Sequence, residues 1–291
     1  MDNLLDEFSF QELKEAIELF RKIKKSKNKK ISDKVENAIE TLTWLANANY
    51  EIKFSPDLDL SARVIFPVSN NEIKGLEDAR FVFFKNGNGK VKHIYYATYT
   101  AYNGFTALPQ LIQTTDFCHF KVSVLLGEGS KGKGMALFPR KVKNKFVTIS
   151  RNDNENLYIM FSENIKFWEK PILLKPPAFY WEFFQIGNCG SPIETDKGWL
   201  LLIHGVGPVR TYTISAILLD LNDPTKVIGL LKEPFLIPDE NERNGYVPNV
   251  VYSCGAIAHN NQLIIPYAMA DSRSGIASLE LDDLFQKMTY Y

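Results

Sequence analysis

Hydrophobic positions recur along this chain with two different periods. Up to about Asn49 they fall at three- and four-residue intervals; from Tyr50 onward they alternate in short runs closed by Gly, Asn, Asp or Lys. The first period belongs to helices, the second to half-buried strands. Ser9 followed by Glu12 has the form of a capping box, which predicts a helix through Leu13, Ile17 and Phe20 that ends in the polar run KKSKNKK. A second helix is expected from Ser32, with Val35, Ile39, Leu42 and Leu45 on one face. The basic run from Lys24 to Lys30 lacks interleaved aromatic residues and reads as a solvated loop.

Within the alternating region one frame occurs four times: a small-residue turn, a strand, a tight polar turn, and a second strand with a polar end. The copies are GLEDARFVFFKNGNGKVKHIYYATYTAY from Gly75, GMALFPRKVKNKFVTISR from Gly134, CGSPIETDKGWLLLIHGV from Cys189 and CGAIAHNNQLIIPYAMAD from Cys254. Each is followed by a further strand pair, such as PQLIQTTDFCHFKVS or the hairpin-like YIMFSENIKFWEK, whose tryptophan is expected to pack between sheets. Copies about 50 to 65 residues apart predict a β-propeller, one small antiparallel sheet per blade. The segment from Tyr50 to Ser69 can supply only part of a fifth blade. The expected organisation is therefore a helical appendage over 1–49 and an all-β propeller domain over 50–291.

Composition narrows the functional classes. With 34 basic and 34 acidic residues the chain has no global field to draw nucleic acid or an anionic membrane, and a neutral substrate fits better. Cys118, Cys189 and Cys254 are odd in number and show no CxxC spacing, and His93, His119, His204 and His259 do not cluster, so no metal site is expected. The acidic start MDNLLDEFSF is unlike a secretory signal, and no apolar stretch reaches the ~20 residues of a membrane span. A reducing, cytoplasmic setting is expected.

The chemistry should sit where the inner strands end. Glu77, Asp78, Asn103, Arg151, His204 and Asp271 occupy such ends and are expected to line one axial cavity, joined by Arg80, Tyr102, Lys133, Glu182 and Tyr212. Carboxylates, donors and aromatic rings together suit a sugar, whose hydroxyls need donors and acceptors and whose ring face needs a flat partner. Taken singly these residues have plainer readings. Glu77-Asp78-Ala79-Arg80 reads equally as a turn closed by an internal ion pair, His204 in LLLIH as a satisfied core histidine, and Arg151 as a surface strand end.

In order and at compatible spacing, GLEDARFV, TYTAY, KGMALFPRK with SR at the next strand end, WEFFQIGNCGSPIETDKGWLLLIHGV, LLDLNDP, and GYVPNVVYSCGA with YAMAD resemble the motifs of glycoside hydrolase family 130. The resemblance runs from about Tyr50 to the end. It implies a five-bladed propeller, here without its leading blade, that cleaves or forms β-mannosidic bonds with inversion, using phosphate or water. By the same resemblance Glu77, Asp78 and Arg80 would form the sugar-binding turn, with Asp78 also a catalytic residue, and Tyr102 and Asp271 would bind the substrate. Lys133, Arg151, His204 and Tyr212 would hold phosphate, while Gly134 and Gln185 stand where further basic or amide groups are expected. Position 103 would carry the general acid, an aspartate, and here it is Asn103. No metal or organic cofactor is implied; inorganic phosphate would be a co-substrate, and a β-mannoside oligosaccharide or mannose 1-phosphate the sugar ligand. The alternative is a carbohydrate-binding propeller impaired in catalysis by Asn103. In either case, with the leading blade absent, ring closure is expected to be defective or achieved by the helices or a partner chain, leaving a sheet edge that favours association.

Overall fold

The computed structural model describes residues 9–27, 31–85 and 94–291. Two helices lead into four twisted antiparallel sheets. The first helix, Phe10–Ser26, opens on the expected reciprocal cap: Ser9 Oγ accepts from Glu12 N–H, and the Glu12 carboxylate accepts from Ser9 N–H. The second, Asp33–Ala48, meets it through Leu13, Ile17 and Ile39, with Phe10, Phe20 and Ala46 alongside. Val35 and Leu42, expected on the buried face, are exposed instead, because the first helix covers a narrow stripe centred on Ile39. Trp44 Nε1 donates to Asn71 Oδ1 and ties the helices to the first sheet's entry turn.

The first sheet runs outward from Gly75–Phe84 through Ile94–Tyr102, Ala107–Thr114 and His119–Val124, and ends on Tyr50–Lys53. That last pairing corrects one expectation. Tyr50 onward closes the outer edge of the first sheet and is not a remnant of a fifth. Lys133–Leu137, Phe146–Arg151, Leu157–Ser162 and Ile172–Lys175 make the second sheet. The third begins with Gln185–Asn188 and Ile193–Glu194, continues through Trp199–Gly207, Thr211–Leu219 and Val227–Leu230, and takes Thr289–Tyr290 at its edge. In the fourth, Val251–Tyr252 and Ile257–His259 form a broken inner strand against Gln262–Met269, with Arg273–Glu280 outermost. The described residues thus form a propeller-like arrangement of four sheets, not five.

The tight turns are those the repeats predict. Lys143 and Asn144, and likewise Asn260 and Asn261, both have positive φ, as a two-residue turn matched to strand twist requires. The corresponding turn of the first copy, near Asn86 to Gly89, lies outside the described residues. The expected hairpin in YIMFSENIKFWEK is not formed as such, since Phe167 bridges back to Leu126 and Ile172–Lys175 is the strand that pairs. Trp168 nevertheless packs between sheets, fully buried with Val82, Leu111, Met135 and Met160.

Three joints hold neighbouring sheets together. That Trp168 cluster joins the first and second. Phe138, Val147 and Ile149 join the second to Trp199, Leu201 and Ile217 of the third, and Leu200, Leu202 and Ile214 join the third to Val251, Leu263 and Ile265 of the fourth. Each fully buried side chain of this kind contributes about 1.5–3 kcal/mol over its exposed state. Among the described residues no such cluster joins the fourth sheet to the first.

Two inner strands are entered through the same device. Glu72 and Glu182 each end a short 3₁₀ turn three residues before the strand starts, and each carboxylate accepts two backbone N–H groups of its own turn. Glu72 also accepts from the Tyr50 and Tyr99 hydroxyls. Burial raises its carboxyl pKa, but the hydrogen bonds outweigh burial and leave it below the ordinary value. Glu182, expected among the pocket carboxylates, is instead buried against Lys175 Nζ at 2.6 Å, a structural role.

Candidate active site

Bulges aim the inner-strand side chains. In the first sheet the register slips between Glu77 and Arg80, so Asp78 and Ala79 together oppose the single Tyr99, one residue more than the partner strand, and Asp78 has φ 56°. The second sheet slips between Lys133 and Ala136, and Gly134 supplies the positive φ there. Both bulges lie where the sequence expects binding residues.

One cluster of polar side chains is built between the second and third sheets. Arg151 Nη1 lies 3.3 Å from His204 Nε2, and His204 stacks on Tyr212 with ring centroids 5.7 Å apart. With its amide oriented to satisfy its neighbours, Gln185 accepts from Arg151 Nη1 at 2.9 Å and from the Tyr212 hydroxyl at 3.2 Å, and donates to Asn154 O. His204 pairs across the sheet with Gly187, where a Cβ would come within 2.5 Å of the imidazole. Only glycine at 187 lets the ring lie there. Burial first, then the charges of Arg151 and Arg80, push the imidazole well below its ordinary pKa, so it is neutral at pH 7. Arg151 Nε is buried without a protein partner. A neutral imidazole, a phenol, an amide and a guanidinium can together surround a tetrahedral oxyanion.

Lys133 is Arg151's cross-strand neighbour, but its Nζ is bound to the Glu77 carboxylate at 2.5 Å and lies over the Tyr102 ring. The Tyr102 hydroxyl donates to Gly104 O at 2.9 Å. Asn103 forms the turn between them, its Oδ1 accepting from Phe105 N–H at 2.9 Å and Thr106 N–H at 2.8 Å.

A second cluster of polar side chains spans the first and fourth sheets. Arg80, 1% exposed, donates to Asp78 O at 2.8 Å, to the Tyr252 hydroxyl at 2.6 Å and to Asp78 Oδ2 at 3.3 Å. The Tyr252 hydroxyl in turn donates to Asp78 Oδ2 at 3.2 Å, and its ring meets His204 edge-on at 5.0 Å. Tyr252 therefore links the two clusters. Burial raises the Tyr252 phenol despite the opposing Arg80 charge, so it remains protonated and can donate. Burial likewise lifts Cys254 to about 11 and raises Cys189, leaving both as thiols rather than nucleophiles. Asp78, Tyr252 and the exposed Asp271 line one cavity of about 640 Å³ with Phe81, Ile257 and Pro266.

The geometry realises the plain readings and the functional ones together. Arg80 does close an internal ion pair with Asp78, and His204 is indeed a core histidine, yet both border the cluster of polar ends. Tyr252 has no role among the residues expected from the sequence, although its signal is present there. Tyr252-Ser253-Cys254-Gly255 occupies the same place in the fourth copy as Gly187-Asn188-Cys189-Gly190 in the third.

A family model described as beta-1,4-mannooligosaccharide phosphorylase matches residues 15–290. A 1,2-beta-oligomannan phosphorylase from Thermoanaerobacter sp. is 36% identical over 75% of this chain and 74% of its own length. A beta-1,2-mannobiose phosphorylase from the same organism is 34% identical over 72% and 68%. The structure of beta-1,2-mannobiose phosphorylase from Listeria innocua in complex with beta-1,2-mannobiose superposes with a TM-score of 0.67 at 28% identity; the match covers 77% of this chain and spans 63% of that one. The chain belongs to glycoside hydrolase family 130.

Proposed function

We propose that this protein binds β-mannosides and phosphate in the axial site and is built for inverting phosphorolysis of a β-mannosidic bond or its reverse. The observation that carries the reading is the Arg151–His204–Tyr212–Gln185 cluster, which meets the Asp78–Arg80–Tyr252 network where the Tyr252 ring packs on His204. In the forward direction a phosphate oxygen attacks the anomeric carbon as the glycosidic oxygen leaves with a proton, giving mannose 1-phosphate and a shortened glycan. Arg151, His204 and Tyr212 orient the phosphate and Lys133 adds charge. Glu77, Asp78, Arg80, Tyr102 and Asp271 hold the mannosyl unit. No metal or organic cofactor has a part in this scheme.

The proton is the weak point. An amide at Asn103 cannot deliver it, and general acid catalysis is worth roughly 10²- to 10⁴-fold in rate. A specific observation thus favours a second reading, a mannoside-binding propeller with slow turnover. Phosphate release from mannose 1-phosphate with β-mannobiose acceptors, set beside calorimetric binding of the same ligands, separates the two. Absence of both binding and turnover would overturn both readings.

The fifth place of the ring is the seam between the fourth and first sheets, where Ile276 and Ile257 are 75% and 61% exposed. Covering it by association with a second chain is the arrangement that burial of this surface favours. Among the described residues no helix is long and apolar enough to cross a membrane, and Cys118, Cys189 and Cys254 are free thiols, consistent with a cytoplasmic setting. In this reading the helical segment 1–49 is an appendage and the sheets of 50–291 are the catalytic unit.

A further inference from the structure

We infer that Asn103 is a self-modifying site: the side-chain amide is converted to a carboxylate by the following glycine, and this conversion supplies the acid the site lacks. The chain has four Asn-Gly pairs, of which Asn103-Gly104 and Asn244-Gly245 lie inside the described residues; the first follows Tyr102, whose ring lies under Lys133 Nζ, and the second packs against Ala270 and Ser272. An asparagine before glycine is the most readily cyclised of all asparagines, because the glycine N–H has no Cβ beside it to block attack on the amide carbon. Gly104 also has φ +98°, a conformation that larger residues rarely adopt, so the turn itself favours glycine at this place.

The local geometry favours the same chemistry. Oδ1 of Asn103 accepts from Phe105 N–H at 2.9 Å and Thr106 N–H at 2.8 Å, which folds the side chain forward over the Gly104 peptide. Two backbone donors on a carbonyl oxygen are the arrangement that stabilises an oxyanion when that carbonyl is attacked. Among the described residues neither Asn103 Nδ2 nor Gly104 N–H has a hydrogen-bond partner, so the leaving group and the nucleophile are both free. The turn is partly exposed, and Phe105 stands in solvent, which gives water access.

The step balances without an added reagent other than water. Gly104 N loses its proton and bonds to Asn103 Cγ, the Cγ–Nδ2 bond breaks, and ammonia departs, leaving a five-membered cyclic imide. Water attacking Cγ then breaks the new Cγ–N bond and yields aspartate in an unaltered backbone. Water attacking the main-chain carbonyl yields isoaspartate, which inserts a methylene into the backbone and displaces the carboxyl. Net, one water is consumed and one ammonia released, with no change of oxidation state. The hydrogen bonds from Phe105 and Thr106 that hold Oδ1 would hold a carboxylate oxygen equally, leaving the second oxygen without a partner in the turn.

The consequence for turnover rests on the phosphorolysis reading; the modification itself does not. The test is to hold the purified full chain in mildly alkaline buffer made with oxygen-18 water, and to follow the Asn103 peptide by mass spectrometry, with phosphorolysis assayed on the same aliquots. The expected result is a time-dependent gain of about 3 Da at residue 103, with aspartate among the products and activity rising in proportion, while Asn103→Gln, whose longer amide cyclises poorly, shows neither. Gain of mass at Asn244 but not at Asn103, or conversion at Asn103 to isoaspartate alone, overturns the proposal. Aspartate formation without activity, matched by an inactive Asn103→Asp variant, leaves the modification standing and removes the phosphorolysis reading instead.

Discussion

The two halves of the site sit on joints of opposite quality. Arg151, His204, Tyr212 and Gln185 stand where the second and third sheets meet, and behind them Phe138, Ile149, Trp199, Leu201 and Ile217 form a filled, fully buried core. Asp78, Arg80, Tyr252 and Asp271 stand where the fourth sheet faces the first, and there the linkage is a hydrogen-bond network in front of a cavity. Preorganised groups bind an anion without further cost, whereas groups held by one network must be fixed by the ligand itself. The anion half should therefore act as a finished site, and the sugar half as one completed on binding or on association.

The largest effect concerns the residue that belongs to neither half. Asn103→Asp should raise turnover by about 10²- to 10⁴-fold with little change in ligand affinity, because an isosteric swap changes proton supply more than shape. Steady-state phosphorolysis and calorimetry on the two proteins check this. A rate unchanged by both Asn103→Asp and Asn103→Ala would mean that another acid, Asp78 or Glu77, delivers the proton.

Next in size is a direct comparison of the joints. Leu201→Ala, in the filled joint, should cost about 2–5 kcal/mol of stability, while Ile276→Ala, at the seam, should stay within about 0.5 kcal/mol. Denaturant unfolding measures both. A large loss for Ile276→Ala in the isolated chain would show the seam already covered in solution, and dilution of the sample would then reveal whether a second copy covers it.

Arg151→Gln comes third. Removing one charged donor from an anion should raise the KM for phosphate by roughly 10- to 100-fold and leave the KM for the mannoside almost unchanged. A matched change in both constants would erase the distinction between the halves.

How legible all this was depends on range. The four copies with their polar turns and the Ser9–Glu12 cap are local patterns, and each folds as its own residues dictate. The destination of Tyr50–Lys53 was not local, because an edge strand's partner, here His119–Val124, is chosen by which sheet edge is vacant. Glu182 misled for a related reason. A carboxylate near a strand start reads as a pocket residue, but the turn that precedes Gln185 needs an acceptor for its own N–H groups and takes it inside. Tyr252 was missed although its alignment with Gly187 was visible, since the large ring in one copy fills the space over which glycine in the other admits His204. Of the six strand ends expected in one cavity, Asp78 and Asp271 line the described one together, while Arg151 and His204 pair with each other beside Tyr252 and Glu77 pairs with Lys133.

The smallest effect tests whether the anion half is as finished as its packing suggests. His204 is buried with Arg151 at 3.3 Å, Tyr212 stacked on one side, Tyr252 edge-on, Cys189 Sγ 3.9 Å from Nδ1, and Arg80 adding positive charge. Its folded pKa is depressed, so as pH falls through the ordinary value of 6.5 the unfolded chain takes up a proton that the folded chain refuses. The contribution of the neutral ring to stability is thus complete above 6.5 and is lost as pH falls from there towards the depressed folded value. The slope from this one group should approach about 1.4 kcal/mol per pH unit. Thermal unfolding between neutral and mildly acid pH should show that slope in the natural chain and a flatter one in His204→Asn. Saturating phosphate sharpens the test: a bound anion beside His204 favours the imidazolium, so it should raise the ring's pKa and flatten the slope in the natural chain but leave His204→Asn unaffected. Equal slopes with and without phosphate would place the anion somewhere other than against His204.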